Sequence, residues 1–333
     1  RPPAAAAHLS LAAVAVSMAK QSGLSRDDVE LPVEAASRRI EVGEVTLHAV
    51  EAGPEDGDLV VLLHGFPECW YAWADYLRPL SEAGYRVVAL DQRGYNLSDR
   101  PSGVEWYSID ELAGDVVGVA DALGHEKAHV VGHDWGGAVA WWTALHHPDR
   151  VRSLTAMNLP HPAVFARHLR RDPAQQLRSW YVLFFQLPKL PELVTPVGDW
   201  AVLERALTGS ALPGTFSSTD LDHYRAAWSV PGAYGSMVDW YRAVVRERPR
   251  PRAEMVEPPT LVVWGSKDRF LRPKMARESL AFCEDGHLKT FDEATHWVHH
   301  EEPVAVARAV VEHLDDAWRT PNNTPDEAGN RPV

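Results

Sequence analysis

A chain of 333 residues with 45% apolar content can hold one large catalytic domain or two small ones, with a sizeable core. Its formal charge of −13 disfavours nucleic acid or an anionic membrane as partner, because both carry negative charge. The two cysteines, Cys69 and Cys283, supply neither a disulfide framework nor zinc-type spacing; they are expected to be reduced packing residues of a cytoplasmic protein.

Residues 1–34 read as an extension outside the fold. Ala4 to Ala19 is Ala-rich and weakly apolar, but Arg1 is its only preceding cation, so a secretory signal fits poorly and the stretch is too short and polar to span a bilayer. Met18 is an alternative start, which would make residues 1–17 extraneous. Near-continuous apolar runs at Val60–Leu63, Val87–Leu90, His129–Val131, Leu154–Met157 and Leu261–Trp264 predict strands covered on both faces. Ile109–Leu123 and Ala138–His147 predict helices between them. This alternation implies an α/β fold with a mostly parallel, doubly wound sheet. Between Pro160 and Pro251 the strand pattern stops. Pro173, Pro188, Pro191, Pro196, Pro213 and Pro231 punctuate short helical segments rich in aromatic residues. The stretch reads as a helical insertion above the carboxyl ends of the strands, where open sheets bind ligands. The expected division is core at 35–160, insertion at 161–250, core again at 251–318, and a disordered Pro/Asn/Asp-rich tail at 319–333.

Gly132-His133-Asp134-Trp135-Gly136-Gly137 follows a strand and precedes a helix, the nucleophile-elbow pattern with Asp where esterases carry Ser. The residues two before and two after the nucleophile must be small, and both are Gly. A helix beginning near Gly137 would aim its positive end at the carboxylate. The bland alternative, Asp134 as a helix cap in an ordinary turn, gives way once its partners appear. Trp264-Gly265-Ser266-Lys267-Asp268 puts a carboxylate past a strand end, and Ala294-Thr295-His296-Trp297 follows the strand pattern Leu288–Phe291. Nucleophile, acid, histidine is the chain order of such a triad: Asp268 would orient His296, and His296 would take a proton from water. Asp268 could otherwise be a turn residue. His299 and His300 are rival bases but are expected to face solvent. A metal set of His296, His299, His300 and Glu301 lacks a second ligand motif, and no metal or organic cofactor is expected. The His64-Gly65-Phe66-Pro67-Glu68 loop would give the Phe66 N–H to an oxyanion hole, with Trp135 giving the other. A carboxylate nucleophile forms an ester with an electrophilic sp³ carbon, such as that of an epoxide or alkyl halide; attack on an ester would pass through a labile anhydride.

His64–Glu68, Asp91–Asp99, Gly132–Gly137, Gly265–Asp268 and the His296 segment, in this order, resemble the soluble-type epoxide hydrolase family of the α/β-hydrolase superfamily over residues 35–317. The resemblance implies an α/β-hydrolase fold with a helical lid, and a hydrolase that opens an epoxide ether bond to a vicinal diol through a covalent aspartyl ester. It implies a cis Phe66–Pro67 bond. It also implies two lid tyrosines on the epoxide oxygen: Tyr181, in Trp180-Tyr181-Val182-Leu183-Phe184-Phe185-Gln186, and Tyr241, in Asp239-Trp240-Tyr241-Arg242. Tyr224 and Tyr234 are lesser alternatives. Phe66, Trp135, Trp180, Phe185 and Trp297 are the expected contacts for a small apolar epoxide, the partner alongside water; the chain would be a monomer or homodimer. A haloalkane dehalogenase shares the Asp nucleophile but usually draws a second halide donor from the position of Phe66, which has none. Fluoroacetate-type dehalogenases usually carry Arg where Trp135 stands. A non-catalytic binding protein on this fold would commonly lack a triad member.

Overall fold

The computed structural model describes residues 23–31 and 33–318; most of the extension, Met18 and the tail at 319–333 lie outside the described residues. Two strands not foreseen open the fold: β1 (Ala35–Val42) and β2 (Val45–Ala52), an antiparallel hairpin. Then come β3 (Leu59–Leu63), β4 (Arg86–Leu90), β5 (Ala128–His133), β6 (Val151–Met157), β7 (Thr260–Gly265) and β8 (Gly286–Phe291). They form one sheet in the order β1-β2-β4-β3-β5-β6-β7-β8. The β1–β2 and β2–β4 pairs are antiparallel and every other pair is parallel. Every residue of β3, β4, β5 and β7 is buried, which is why these strands read as unbroken apolar runs.

Helices α1 (Ala74–Glu82), α2 (Ile109–Ala122) and α3 (Trp135–His146) connect the first strands. Seven helices lie between β6 and β7: α4 (Pro162–Arg171), α5 (Pro173–Arg178), α6 (Trp180–Phe185), α7 (Leu190–Val194), α8 (Ala201–Ser210), α9 (Ser218–Trp228) and α10 (Ala233–Glu247). Two of the prolines that punctuate this stretch, Pro173 and Pro191, start helices, as does Pro162; all three stand in first turns, where no N–H is needed. Ser217 and Asp220 cap α9 reciprocally. After β7 come α11 (Lys274–Ser279), α12 (Val298–Glu301) and α13 (Pro303–Trp318). Among the described residues no helix is long and apolar enough to cross a membrane. Cys69 and Cys283 are buried free thiols.

Helix α3 starts at Trp135, earlier than the apolar pattern suggested, because the chain turns into the helix directly after Asp134. The glycines make this possible. A Cβ at Gly132 would lie 2.1 Å from the Gly136 carbonyl oxygen, and one at Gly136 would lie 2.0 Å from that of Leu63. By contrast, a Cβ at Gly114, in exposed α2, meets nothing within 4 Å. Gly136→Ala should therefore cost at least ~1–3 kcal/mol, while Gly114→Ala should be neutral or stabilise by about 0.5–1 kcal/mol. Urea unfolding midpoints of the two variants test this; equal midpoints would contradict it.

Candidate active site

Asp134 sits at the junction of β5 and α3 with φ 49° and ψ −120°, a conformation costly for any residue with a side chain. The sharp turn projects its carboxylate beyond the carboxyl end of β5, a central strand of the sheet. The cis Phe66–Pro67 loop comes alongside, and the Phe66 N–H donates to Asp134 Oδ1 at 3.0 Å. Gly65 permits this approach, since a Cβ there would lie 2.5 Å from that of Asp134. Trp135 opens α3, whose first N–H groups have no partner inside the helix and present its positive end.

His296, in the loop after β8, faces two carboxylates. Its Nε2 lies 3.4 Å from Asp134 Oδ2, and its Nδ1 lies 2.8 Å from Asp268 Oδ2. Asp268 is held in turn: its Oδ1 accepts from the N–H groups of Phe270 (2.7 Å) and Leu271 (2.9 Å), and its Oδ2 accepts from Asn158 Nδ2 (2.7 Å). Asn158 lies just past β6 with φ 44°, and its Oδ1 accepts from the Gly265 N–H at 2.9 Å. Sequence reasoning missed Asn158; its only signal was a polar residue directly after a buried strand.

The electrostatics follow from these contacts. Burial would raise the Asp134 carboxyl, but the hydrogen bond and charge of His296, with His133 and the Phe66 N–H, hold it below the usual carboxylate range. Burial would lower His296, yet Asp268 and Asp134 push it up to about 10. An imidazolium between two carboxylates is therefore the resting state at neutral pH.

His299 and His300 do not face solvent as expected. His299 is buried, with Nε2 at 3.2 Å from Glu68 Oε1, and His300 Nε2 lies 2.7 Å from the same oxygen. His133 Nδ1 lies 3.1 Å from Glu68 Oε2, and its Nε2 lies 2.9 Å from the His296 carbonyl oxygen. A fully buried carboxylate requires such partners. Burial would raise the Glu68 carboxyl, but His299, His133 and His300 hold it well below the usual range. Glu301 instead accepts from Thr295 Oγ1 (2.7 Å) and the Leu212 N–H (2.8 Å), so the metal set weighed on sequence does not converge. Glu68, His133 and His299 are the group of candidate ligands found among the described residues.

Above this floor lies a cavity of about 600 Å³ whose wall includes Asp134, His296, Tyr181 and Tyr241. Tyr181, on α6, and Tyr241, on α10, have ring centroids 6.0 Å apart. Gln186 ties the two helices by donating to the Tyr241 carbonyl at 3.1 Å. Burial, then the charge of Asp134, pushes the Tyr181 phenol far up; burial, then Tyr181, does the same to Tyr241. Both are neutral donors. Tyr234 also lines the cavity, but its hydroxyl donates to Thr195 Oγ1 at 2.9 Å, and that of Tyr224 reaches Glu68 Oε1 at 3.3 Å. Phe66, Trp180, Phe185 and Trp297 belong to the wall. Trp135 does not: its ring packs against Trp240 and against Tyr241, at 4.9 Å from the latter. Leu203, Leu207 and Phe270 complete the apolar wall; at helical spacing the leucines were indistinguishable from core residues.

Residues 58–303 match the family model described as the alpha/beta hydrolase fold. The chain is 46% identical over 270 residues to the AB hydrolase superfamily protein YfhM of Bacillus subtilis, covering 81% of this chain and 94% of that protein. It is 38% identical over 287 residues to Epoxide hydrolase 4 of Mus musculus, covering 84% of this chain and 79% of that one. The crystal structure of the Bacillus megaterium epoxide hydrolase in complex with an inhibitor matches with a TM-score of 0.76 at 30% identity, over 84% of this chain and 100% of that one. With fold, elbow and relatives in agreement, the chain belongs to the epoxide hydrolases of the α/β-hydrolase fold.

Proposed function

We propose that this enzyme converts an apolar epoxide and water to a vicinal diol through an ester on Asp134, with the helices between β6 and β7 as a lid and the cytoplasm as its setting. The observation that carries this reading is one cavity whose wall holds the Asp134 carboxylate, the His296 imidazole and the phenols of Tyr181 and Tyr241. Asp134 Oδ2 attacks an epoxide carbon while the ring C–O bond breaks. The released electron pair goes to the ring oxygen, which takes a proton from Tyr181 or Tyr241. A phenol, with an ordinary pKa of about 10, is a far stronger acid than an aliphatic alcohol. Oδ1, already held by the Phe66 N–H, becomes the ester carbonyl.

Esterification has an electrostatic consequence. It removes one of the two anions that keep the proton on His296. The imidazole can then pass that proton to the lid phenolate left by ring opening and serve as a base, with Asp268 fixing its Nδ1–H. Water attacks the ester carbon, charge develops on Oδ1 at the Phe66 N–H and the start of α3, and the C–O bond to Oδ2 breaks. The proton taken by His296 goes to the departing alkoxide, and the proton left on the new Asp134 carboxyl passes to His296, which restores the carboxylate and the imidazolium. Lid phenols serve an alkoxide, whereas Phe66 offers no side-chain donor to a halide.

Measurements of product, adduct and pH dependence test this reading. Incubation with a phenyl-substituted epoxide and with a bromoalkane should yield diol without bromide. Asp134→Ala should lower diol formation by ~10⁴-fold or more, and His296→Gln should accumulate a mass adduct on Asp134. Bromide release without diol would assign dehalogenation instead. Tyr181→Phe and Tyr241→Phe should each slow adduct formation by about 10²-fold while leaving hydrolysis of a preformed adduct less affected. Finally, adduct hydrolysis should rise with pH as His296 loses its proton, and should titrate below the value of about 10 that holds while Asp134 is ionised. Single-turnover mass spectrometry across pH measures this, and one midpoint shared by free and esterified enzyme would contradict it.

A further inference from the structure

The helical insertion exposes surface that the reaction does not use. Among the described residues, seven large apolar side chains are more than half exposed, and six of them lie within residues 177–202. They are Leu177, Trp180, Leu183, Leu193, Val197 and Val202, with exposures from 54% at Val202 to 75% at Leu177. Leu177, Trp180 and Val202 also line the cavity, so the cavity opens through this patch. A soluble monomer rarely leaves such a concentration of apolar surface facing water.

The charges on the same helices are lopsided. Among the described residues Arg170, Arg171, Lys189 and Arg205 have no acidic partner, whereas Asp172, Glu192 and Asp199 are paired, with Arg272, Arg242 and Arg225. Glu204 is the remaining acid. These unpaired cations decide what covers the patch. A second copy related by a two-fold axis would set the same cations against themselves. An anionic lipid surface would satisfy them while admitting the apolar side chains to the headgroup boundary.

We infer that the α5–α8 face docks on anionic lipid bilayers and brings the cavity mouth to the membrane surface. The net charge of −13 does not prevent this, because exposed charges more than about 8–10 Å away are screened at physiological salt. That substrate then passes from bilayer to cavity rests on the epoxide reading above; the docking itself does not.

Flotation of the full chain with phosphatidylcholine vesicles, with and without phosphatidylglycerol, tests the inference. The protein should float with the phosphatidylglycerol vesicles and lose most of that binding at about 1 M salt. Leu183→Asp with Leu193→Asp should reduce binding ~10-fold or more, and Lys189→Glu with Arg205→Glu should abolish the preference for phosphatidylglycerol. None of these four residues lines the cavity, so turnover of a freely water-soluble epoxide should be unchanged. Absence of flotation at every composition overturns the inference, as does undiminished binding by the Asp variant. Self-association that the Asp variant abolishes would assign the patch to a second copy, and flotation only after removal of residues 1–22 would assign it to the chain's own N-terminal segment. A wrong epoxide reading would show separately, as no diol from the soluble substrate.

Discussion

The site rests on a crossing of three backbone segments too close for side chains. The end of β5, the start of α3 and the end of β3 meet where Gly132 and Gly136 stand, and a methyl group at either would overlap a carbonyl oxygen. Gly65 clears the same space on the side of the Phe66 loop. This closeness holds Asp134 at positive φ and sets one of its oxygens on the Phe66 N–H. Strain of this kind persists only where the surrounding structure over-determines it.

Charge balance is the second constraint. His296 stands between Asp134 and Asp268, so its proton depends on both anions. Asp268 is fully committed, to two backbone N–H groups, Asn158 and His296, and so holds the ring. In the proposed mechanism Asp134 is the variable member, because esterification of its carboxylate would change the number of anions that His296 senses. On that proposal His296 is a cation before attack and a base afterwards with no rearrangement of the chain.

The insertion is fastened to the loops that carry these groups. Arg178 donates to the Asp268 carbonyl at 3.0 Å, and Gln175 donates to that of Phe270 at 2.8 Å. From the core side, Arg269 donates to the Gly209 carbonyl at 2.6 Å and Trp297 donates to Ser210 Oγ at 2.9 Å. The tyrosine-bearing helices are joined again by Arg242, which donates to the Phe185 carbonyl at 3.1 Å. The two phenols and the two carboxylates therefore belong to one connected frame, although residues 181 and 241 stand far from 134 and 268 in the chain.

By itself the sequence determined the strands from β3 to β7, because burial on both faces leaves each of them a short apolar run. It determined the elbow, because only glycine tolerates that crossing, and it determined the chain order of Asp134, Asp268 and His296. The β1–β2 hairpin escaped, since β1 is an edge strand with Arg39 and Glu41 toward solvent and β2 buries polar His48 and Glu51. Only the tertiary structure decided where single polar side chains go. Asn158 became the anchor of Asp268, and His299 and His300 turned inward, because a buried carboxylate at Glu68 and a buried acid at Asp268 both needed donors that distant segments supplied. Trp135 turned from the cavity to support Tyr241. The net charge, a sum over the chain, could not reveal the unpaired cations beside an apolar cavity mouth, because their position depends on which neighbours the fold brings to each charge.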